Sequence, residues 1–262
     1  MFLRSLRFER DDVPEMYPFS VPAIADLEEI DFHESVTFFA GENATGKSTL
    51  LEAIASVAGS LPVRGADPLT DAILDRTRPL AERLRLRWTR KTQRGFFLRA
   101  EDFFDYKKQL ATTIGDLGDI AADFDERMEG YGRDLAVGAA LGQRHALVDR
   151  YGGDLTNRSH GESFLQFFQA RFSGAGLYLL DEPDTALSAQ SVLGLVAMLK
   201  AMVAEGAQFL IATHSPILLA FRGAQLLSFD HSPATEVTYN ELEQVSLMRS
   251  FLNAPEAFLR HL

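Results

Sequence analysis

The sequence has no cysteine, one tryptophan and no apolar run of membrane-spanning length. Without cysteine there are no disulfides and no thiolate metal sites. No apolar run approaches the roughly 18 residues that suggest a transmembrane helix. The opening stretch MFLRSLRFERDD also lacks the apolar core of a secretory signal. We therefore expect a cytoplasmic protein without direct membrane insertion.

Acidic residues outnumber lysine and arginine, and the formal net charge is −11. This balance argues against a broadly basic surface for binding nucleic acid. One local basic cluster lies between Arg83 and Arg94. This cluster could form a small basic patch that binds an anion. The alternating arginines of LRLRW are, however, typical of the solvated face of a strand.

The segment from Gly41 to Thr49, GENATGKST, is the strongest chemical signal in the chain. It fits the pattern G-x-x-x-x-G-K-[ST], in which backbone N–H groups cradle phosphates and a lysine reaches the β- and γ-oxygens. A buried strand is predicted before it and an amphipathic helix after it, which is the expected setting for an anion site at a helix N-terminus. The predicted phosphate-binding residues are Gly41, Glu42, Asn43, Ala44, Thr45, Gly46, Lys47, Ser48 and Thr49.

Short apolar segments predict an α/β fold. Two of them flank the helical stretch SAQSVLGLVAMLKAMVAEG, a β–α–β arrangement that implies parallel pairing. We also predict an edge strand over Met1–Phe8, a hairpin from Gln225–Asp230 to Thr235–Tyr239, and a terminal helix from Glu241 that is interrupted before Pro255. The segments predicted as core strands are Ser35–Ala40, Leu84–Thr89, Phe96–Ala100, Leu177–Asp181 and Phe209–Thr213.

Strand signals disappear between Phe103 and Phe172, where acidic, glycine-punctuated helical segments replace them. No sustained heptads occur there, so a long coiled-coil arm is not expected. We predict one domain over residues 1–262. Residues 1–101 and 173–262 would form a nucleotide-binding α/β lobe, and residues 102–172 an inserted helical subdomain.

Two adjacent carboxylates, Asp181 and Glu182, end the apolar strand LYLL. Asp181 is predicted to hold Mg²⁺ together with the Ser48 hydroxyl. Glu182 points to the other side of the chain and is predicted to polarise the attacking water. Such a pair is common in loops, but it gains meaning after an upstream phosphate loop because open α/β sheets bind ligands at strand C-termini.

Two further motifs allow both structural and functional interpretations. His214, in the segment THSP, follows the next predicted strand and is suited to sensing the γ-phosphate or orienting water, or it is only a capping or solvated residue. Ser159 and Glu162 form the pattern S-x-x-E, a helix capping box. The same helix N-terminus, with Gly161 in its turn, is also an anion site.

The ordered motifs GENATGKST, RSHGES, LYLLDEPDTALS and ATHSP resemble the ATPase domains of the ABC superfamily. The likeness is greatest to the RecF/SMC-like "AAA family ATPase" branch and extends over nearly the whole chain. The resemblance implies a P-loop NTPase of the ABC-type ATPase head class, with a mostly parallel sheet, antiparallel edge strands and an inserted helical subdomain. It further implies ATP and Mg²⁺ as ligands and a head-to-tail homodimer formed on ATP binding. Ser159 and Gly161 of one subunit would then face the nucleotide held by the other.

The sequence departs from the transporter members of this superfamily in three places. RSHGES replaces the transporter signature LSGGQ, and Ser188 stands where an aspartate would contact the opposite subunit. There is no clear Q-loop glutamine, because Gln93 precedes a predicted strand. Glu101 follows a predicted strand, and it is the candidate for the Q-loop position and for a further metal ligand. These departures favour the branch outside the transporters.

The sequence therefore predicts a Mg²⁺-dependent ATPase that acts as a mechanical or switch protein on an unidentified protein or nucleic-acid partner, with DNA maintenance and defence as candidate settings. The alternative is the ATP-binding subunit of an ABC transporter. A P-loop kinase would not explain Ser159 and His214 in this order. A binding module without turnover would not need both Asp181 and Glu182.

Overall fold

The computed structural model describes residues 1–10, 14–60, 72–150 and 160–260. The described residues contain both strands and helices. The strands are β1 (Leu3–Phe8), β2 (Glu29–Asp31), β3 (Val36–Ala40), β4 (Leu84–Trp88), β5 (Phe97–Arg99), β6 (Leu177–Asp181), β7 (Gln208–Ala212), β8 (Gln225–Ser228) and β9 (Thr235–Glu236). The helices are α1 (Pro22–Ala25), α2 (Lys47–Ala58), α3 (Ala72–Arg83), α4 (Ala100–Arg127), α5 (Gly130–Arg150), α6 (His160–Arg171), α7 (Ala189–Ala204), α8 (Pro216–Leu219), α9 (Glu243–Asn253) and α10 (Pro255–Leu259).

A six-stranded sheet in the order β5-β6-β7-β3-β8-β9 carries the phosphate loop. Neighbouring strands from β5 to β8 pair in parallel, and only β9 pairs antiparallel, at the edge next to β8. Every residue of β3, β6 and β7 is buried, as expected for parallel strands covered on both faces. The predicted α/β class, with a mostly parallel sheet and an antiparallel edge strand, is confirmed.

The first strand corrects one prediction. We expected Met1–Phe8 to be an edge strand, but β1 lies in the middle of a separate antiparallel sheet, between β2 and β4. The alternation in β4 buries Leu84 and exposes Arg85 and Arg87, so the solvated strand face predicted for LRLRW is confirmed. Arg85 also forms an ion pair with Glu9 (2.7 Å), which neutralises part of the basic cluster.

One buried glutamine links the two sheets. The Gln208 side-chain oxygen, at the start of β7, accepts the backbone N–H groups of Phe2 (2.7 Å) and Leu3 (2.8 Å). Its amide nitrogen donates to the Leu3 carbonyl (2.8 Å). Because Gln208 is fully buried, it satisfies three backbone groups that water does not reach.

The C-terminal elements are shorter than predicted. β9 ends at Glu236 because Tyr239–Glu241 forms a 3₁₀ turn with a capping box between Thr238 and Glu241. The terminal helix α9 accordingly begins at Glu243 and ends before Pro255, which starts α10. Among the helices of the described residues, none has the length and apolarity that a bilayer crossing requires.

The chain divides by packing into two compact units, Met1–Ala100 with Ser173–Leu262, and Glu101–Phe172. The second unit is helical and has its own aromatic core. Phe103 packs edge to face on Phe164, with ring centroids 4.4 Å apart, and Phe164 packs in the same way on Phe168 at 4.8 Å. All three side chains are fully or almost fully buried, so the apolar run FLQFF supplies this core.

Candidate functional site

The phosphate loop connects the end of β3 to the start of α2. Its backbone adopts left-handed conformations at Gly46 (φ 104°) and, without a glycine, at Ala44 (φ 64°). Gly41 is also required by its surroundings: it has a φ of 140°, and a Cβ there would lie 2.9 Å from the Asp230 side chain. The loop therefore leads directly into the N-terminus of α2, where free N–H groups and the positive end of the helix dipole favour an anion.

Lys47 folds back over this loop. Its ammonium donates to the carbonyl oxygens of Gly41 (2.8 Å) and Glu42 (2.6 Å), and Thr45 fixes the same turn by donating to the Glu42 carbonyl (2.9 Å). Burial lowers the pKa of Lys47, and the nearby carboxylates, with Glu182 the most important, oppose that shift. Phosphate oxygens would compete with these carbonyls for a buried cation whose present partners are uncharged.

Ser48 and Asp181 meet as the sequence predicts. The Ser48 hydroxyl donates to Asp181 Oδ1 at 2.9 Å, at the C-terminal end of β6. Burial raises the pKa of Asp181 to about 7, against the opposing effect of the Ser48 hydrogen bond. A hydroxyl and a carboxylate oxygen are ligands that Mg²⁺ accepts, with water and phosphate oxygens completing the octahedron.

No cluster of three or more histidine or acidic side chains suited to a metal is present in the part of the chain that the structure describes. The predicted additional ligand, Glu101, has an exposed side chain in the first turn of α4, in the helical unit. Its role in metal binding remains a prediction.

Glu182 and His214 come together at the ends of β6 and β7. Glu182 Oε1 lies 3.5 Å from His214 Nε2, and Glu182 Oε2 accepts the Thr185 hydroxyl at 3.3 Å. Both side chains are about one-third to two-fifths exposed, but the His214 Nε2 atom itself is buried and forms no hydrogen bond within the described residues. Glu182 has a positive φ of 49°, an unfavourable conformation for a residue with a Cβ and one that is often found at functional sites.

Sequence reasoning missed two acidic residues. Asp230, just after β8, accepts the Glu42 N–H at 2.6 Å and so anchors the start of the phosphate loop. Asp184 accepts the buried Thr213 hydroxyl at 2.5 Å. Asp230 was predictable only from the parallel pairing of β8 with β3, which places its carboxylate beside the loop. Asp184 stands next to the recognised Asp-Glu pair, and that position was the available signal.

The predicted signature turn is only partly visible. Ser159 lies outside the described residues, so its capping and anion-binding roles remain predictions. Helix α6 begins at His160, with Gly161 and Glu162 in its first turn. Ser188, which stands at the predicted contact with an opposite subunit, is the N-cap of α7 and accepts the Ser191 N–H at 3.2 Å.

Comparison with known proteins finds a family match in the region that contains the phosphate loop. Residues 20–109, about a third of the chain, match the family described as AAA domain. No curated protein matches the sequence.

Among solved structures, the chain is similar to a nucleotide-free ATP-binding cassette from an ABC transporter, with 14% identity, 100% of this chain and 99% of that chain covered, and a TM-score of 0.47. It is also similar to an Smc head domain from Pyrococcus furiosus bound to the C-terminal domain of ScpA (11% identity, 96% and 99% covered, TM-score 0.46). A third similar structure is the SMC head domain from Thermotoga maritima (14% identity, 91% and 99% covered, TM-score 0.43). The AAA-domain match includes the phosphate loop and ends before β6 and β7, whose ends carry the other candidate site residues.

Proposed function

We propose that this site binds Mg·ATP and hydrolyses it to ADP and phosphate. The observation that carries the proposal is the convergence of five side chains from three chain segments. The phosphate loop contributes Lys47 and Ser48, β6 ends in Asp181 and Glu182, and His214 follows β7. This set contains a cation for phosphate, oxygen ligands for a metal, and a base with a neighbouring imidazole.

Binding in this proposal begins at the loop. Lys47 exchanges its carbonyl partners for β- and γ-phosphate oxygens, while the loop N–H groups and the α2 N-terminus hold the same anion. Ser48 and Asp181 would hold Mg²⁺, which supplies charge neutralisation to the phosphates when it is bound. Ionised Asp181 is required for this, so metal binding displaces the proton that burial favours.

Glu182 acts in the proposal as the general base. It accepts a proton from water as the water oxygen bonds to the γ-phosphorus and the bond to the ADP oxygen breaks. His214, 3.5 Å away, orients that water or contacts the γ-phosphate. The Glu182 carboxylate also lies near the phosphate loop, since it is the most important of the charges that oppose the lowering of the Lys47 pKa.

Calorimetry of Mg·ATP binding tests the site. Lys47→Ala is expected to abolish measurable affinity, because a charge-assisted contact to phosphate contributes more than a neutral hydrogen bond. Lys108→Ala is the matched control, since Lys108 is an exposed lysine on α4. Undiminished ATP binding by Lys47→Ala, with the control unchanged, contradicts the assignment.

We further propose that ATP drives homodimerisation and that the dimer acts as a mechanical switch on an unidentified protein or nucleic-acid partner. Support comes from the motif order and from the glycine and glutamate in the first turn of α6, a second helix N-terminus available to an anion. Light scattering of Glu182→Gln with ATP is expected to give a dimer, and Ser159→Arg is expected to prevent it while monomer binding persists. A monomer at micromolar concentration with ATP bound contradicts the dimer proposal alone.

A further inference from the structure

Two turns at the end of the parallel sheet carry the candidate catalytic pair. Strands β6 and β7 pair in register as far as Asp181 opposite Ala212, and the Glu182 N–H adds a bond to the Ala212 carbonyl (2.9 Å). Beyond that point the two segments leave the strand ladder. The separation between Glu182 and His214 therefore depends on how these turns are held after the strands end.

One buried hydroxyl joins the two turns. Thr213 Oγ1 donates to Asp184 Oδ1 at 2.5 Å, and the same oxygen accepts the Ser215 N–H at 3.0 Å. Thr213 is fully buried, and its two partners lie on different turns. His214 stands between Thr213 and Ser215, so a single hydroxyl constrains the backbone on both sides of the imidazole.

The Asp184 carboxylate, which is the partner of the Thr213 hydroxyl, costs free energy to bury. Burial raises the pKa of Asp184, and its hydrogen bond from Thr213 opposes that shift. A neutral side chain at position 184 would avoid the cost of desolvating a charge. We therefore attribute the presence of a carboxylate to its hydrogen bond with the Thr213 hydroxyl. Asp184 also follows Glu182 by two residues in the same turn, whose Thr185 N–H bonds to the Glu182 carbonyl (3.1 Å).

We infer that Asp184 and Thr213 are positioning residues, which lock the His214 turn to the Glu182 turn and keep the imidazole within reach of the general base. The inference rests on the proposed ATPase function of the same site. It assigns neither residue a contact with the nucleotide. Their loss is thus expected to lower kcat and to leave KM for ATP unchanged.

Matched substitutions at Thr213 separate the hydroxyl from the volume. Thr213→Val removes both hydrogen bonds with little change in size, whereas Thr213→Ser keeps the hydroxyl. Because misplacement of a catalytic group by about 1 Å costs up to about 10²-fold in rate, Thr213→Val is expected to lower kcat roughly 10- to 100-fold. Thr213→Ser is expected to return kcat to within about threefold of wild type. Asp184→Ala and Asp184→Asn form a second pair, in which only the amide keeps an acceptor oxygen.

Imidazole NMR of ¹⁵N-histidine-labelled protein gives a readout that does not depend on activity. The His214 signal, assigned by its loss in His214→Ala, is expected to shift or broaden in Thr213→Val and to stay in place in Thr213→Ser. Should Thr213→Val fail to fold, Asp184→Ala supplies the same comparison.

The outcomes distinguish failure of the proposed ATP hydrolysis from failure of the positioning role of Asp184 and Thr213. A wild-type protein that binds but never hydrolyses ATP refutes the proposed hydrolysis, whereas the NMR comparison still tests the positioning role. Wild-type turnover with an unchanged His214 signal and unchanged kcat in Thr213→Val overturns the inference alone. Equal losses in Thr213→Val and Thr213→Ser overturn it as well.

Discussion

The protonation of Asp181 makes metal binding by this site depend on pH. Burial raises the pKa of its carboxyl from 3.8 to about 7. A carboxylate must be ionised to bind Mg²⁺, so binding expels a proton from Asp181 whenever the pH is below about 7. The perturbation is a change of pH from 8 to 6, and its effect follows from the fraction of Asp181 that is protonated before the metal arrives.

With a pKa of about 7, that fraction is roughly 0.9 at pH 6 and roughly 0.1 at pH 8. Metal binding should therefore release about 0.9 proton from Asp181 at pH 6 and about 0.1 at pH 8. The apparent Mg²⁺ affinity should accordingly be about tenfold weaker at pH 6 than at pH 8.

Calorimetry in two buffers of different ionisation enthalpy measures this proton release. ATP carries its own titrating phosphate, with a pKa near 6, so its contribution must be subtracted. Asp181→Asn supplies that correction, because the amide keeps an oxygen for the Ser48 hydroxyl but has no proton to lose. Equal release at pH 6 and pH 8, or the same release from Asp181→Asn, refutes the reasoning.

The same pKa has a consequence for stability without metal. A carboxyl with a raised pKa in the folded state favours folding at low pH, so stability falls as the pH rises from about 4 to about 7 and is level above that. Asp181→Asn should therefore stabilise the metal-free protein more at pH 8 than at pH 5, by on the order of 2 kcal/mol. Urea unfolding at the two pH values checks this, and an equal effect at both contradicts it.

Two further substitutions test local geometry by chemical denaturation. Ala44→Gly should stabilise the protein by about 1 kcal/mol, because Ala44 has a φ of 64°, whereas Ala197→Gly, at an exposed position in α7, should destabilise it by about the same amount. A loss of stability in Ala44→Gly would show that the loop carries no such strain. Gln208→Leu should cost roughly 2–4 kcal/mol, because it leaves the N–H groups of Phe2 and Leu3 and the Leu3 carbonyl without this side-chain partner. Gln190→Leu, at an exposed position, should change the stability by no more than about 0.5 kcal/mol. Equal effects of the two glutamine substitutions would contradict the role of Gln208.

The sequence predicted the parallel sheet well because its strands are buried on both faces. Runs such as VTFFA and LYLL are mostly apolar at consecutive positions, and this pattern identifies a strand covered on both faces without knowledge of its neighbours. The position of β1 was not predictable in this way. Its apolar residues show that it is half buried, but the partners β2 and β4 are set by contacts across the fold, and the three-residue β2 is too short to produce a periodic signal.

The site residues were predictable where they belong to one short stretch of sequence. The phosphate loop is contiguous in sequence. Asp181 ends β6, Glu182 directly follows it, and His214 comes two residues after β7, so each is marked by a recognisable strand. Asp230 was not predicted, because its partner Glu42 is 188 residues away in the sequence and the two come together only through the pairing of β3 with β8. The Thr213–Asp184 bridge likewise depends on the order of strands, which single-sequence patterns do not encode.

Phosphate release from ATP in the presence of Mg²⁺ tests the central claim most directly. Wild-type protein should release phosphate, and Glu182→Gln should bind ATP with similar affinity but release phosphate about 10²- to 10⁴-fold more slowly, because an amide cannot accept the proton of water. Glu205→Gln, at an exposed position, should behave as wild type. Wild-type turnover by Glu182→Gln would contradict the assignment of Glu182 as the base, and no release by wild-type protein that binds Mg·ATP would contradict hydrolysis at this site.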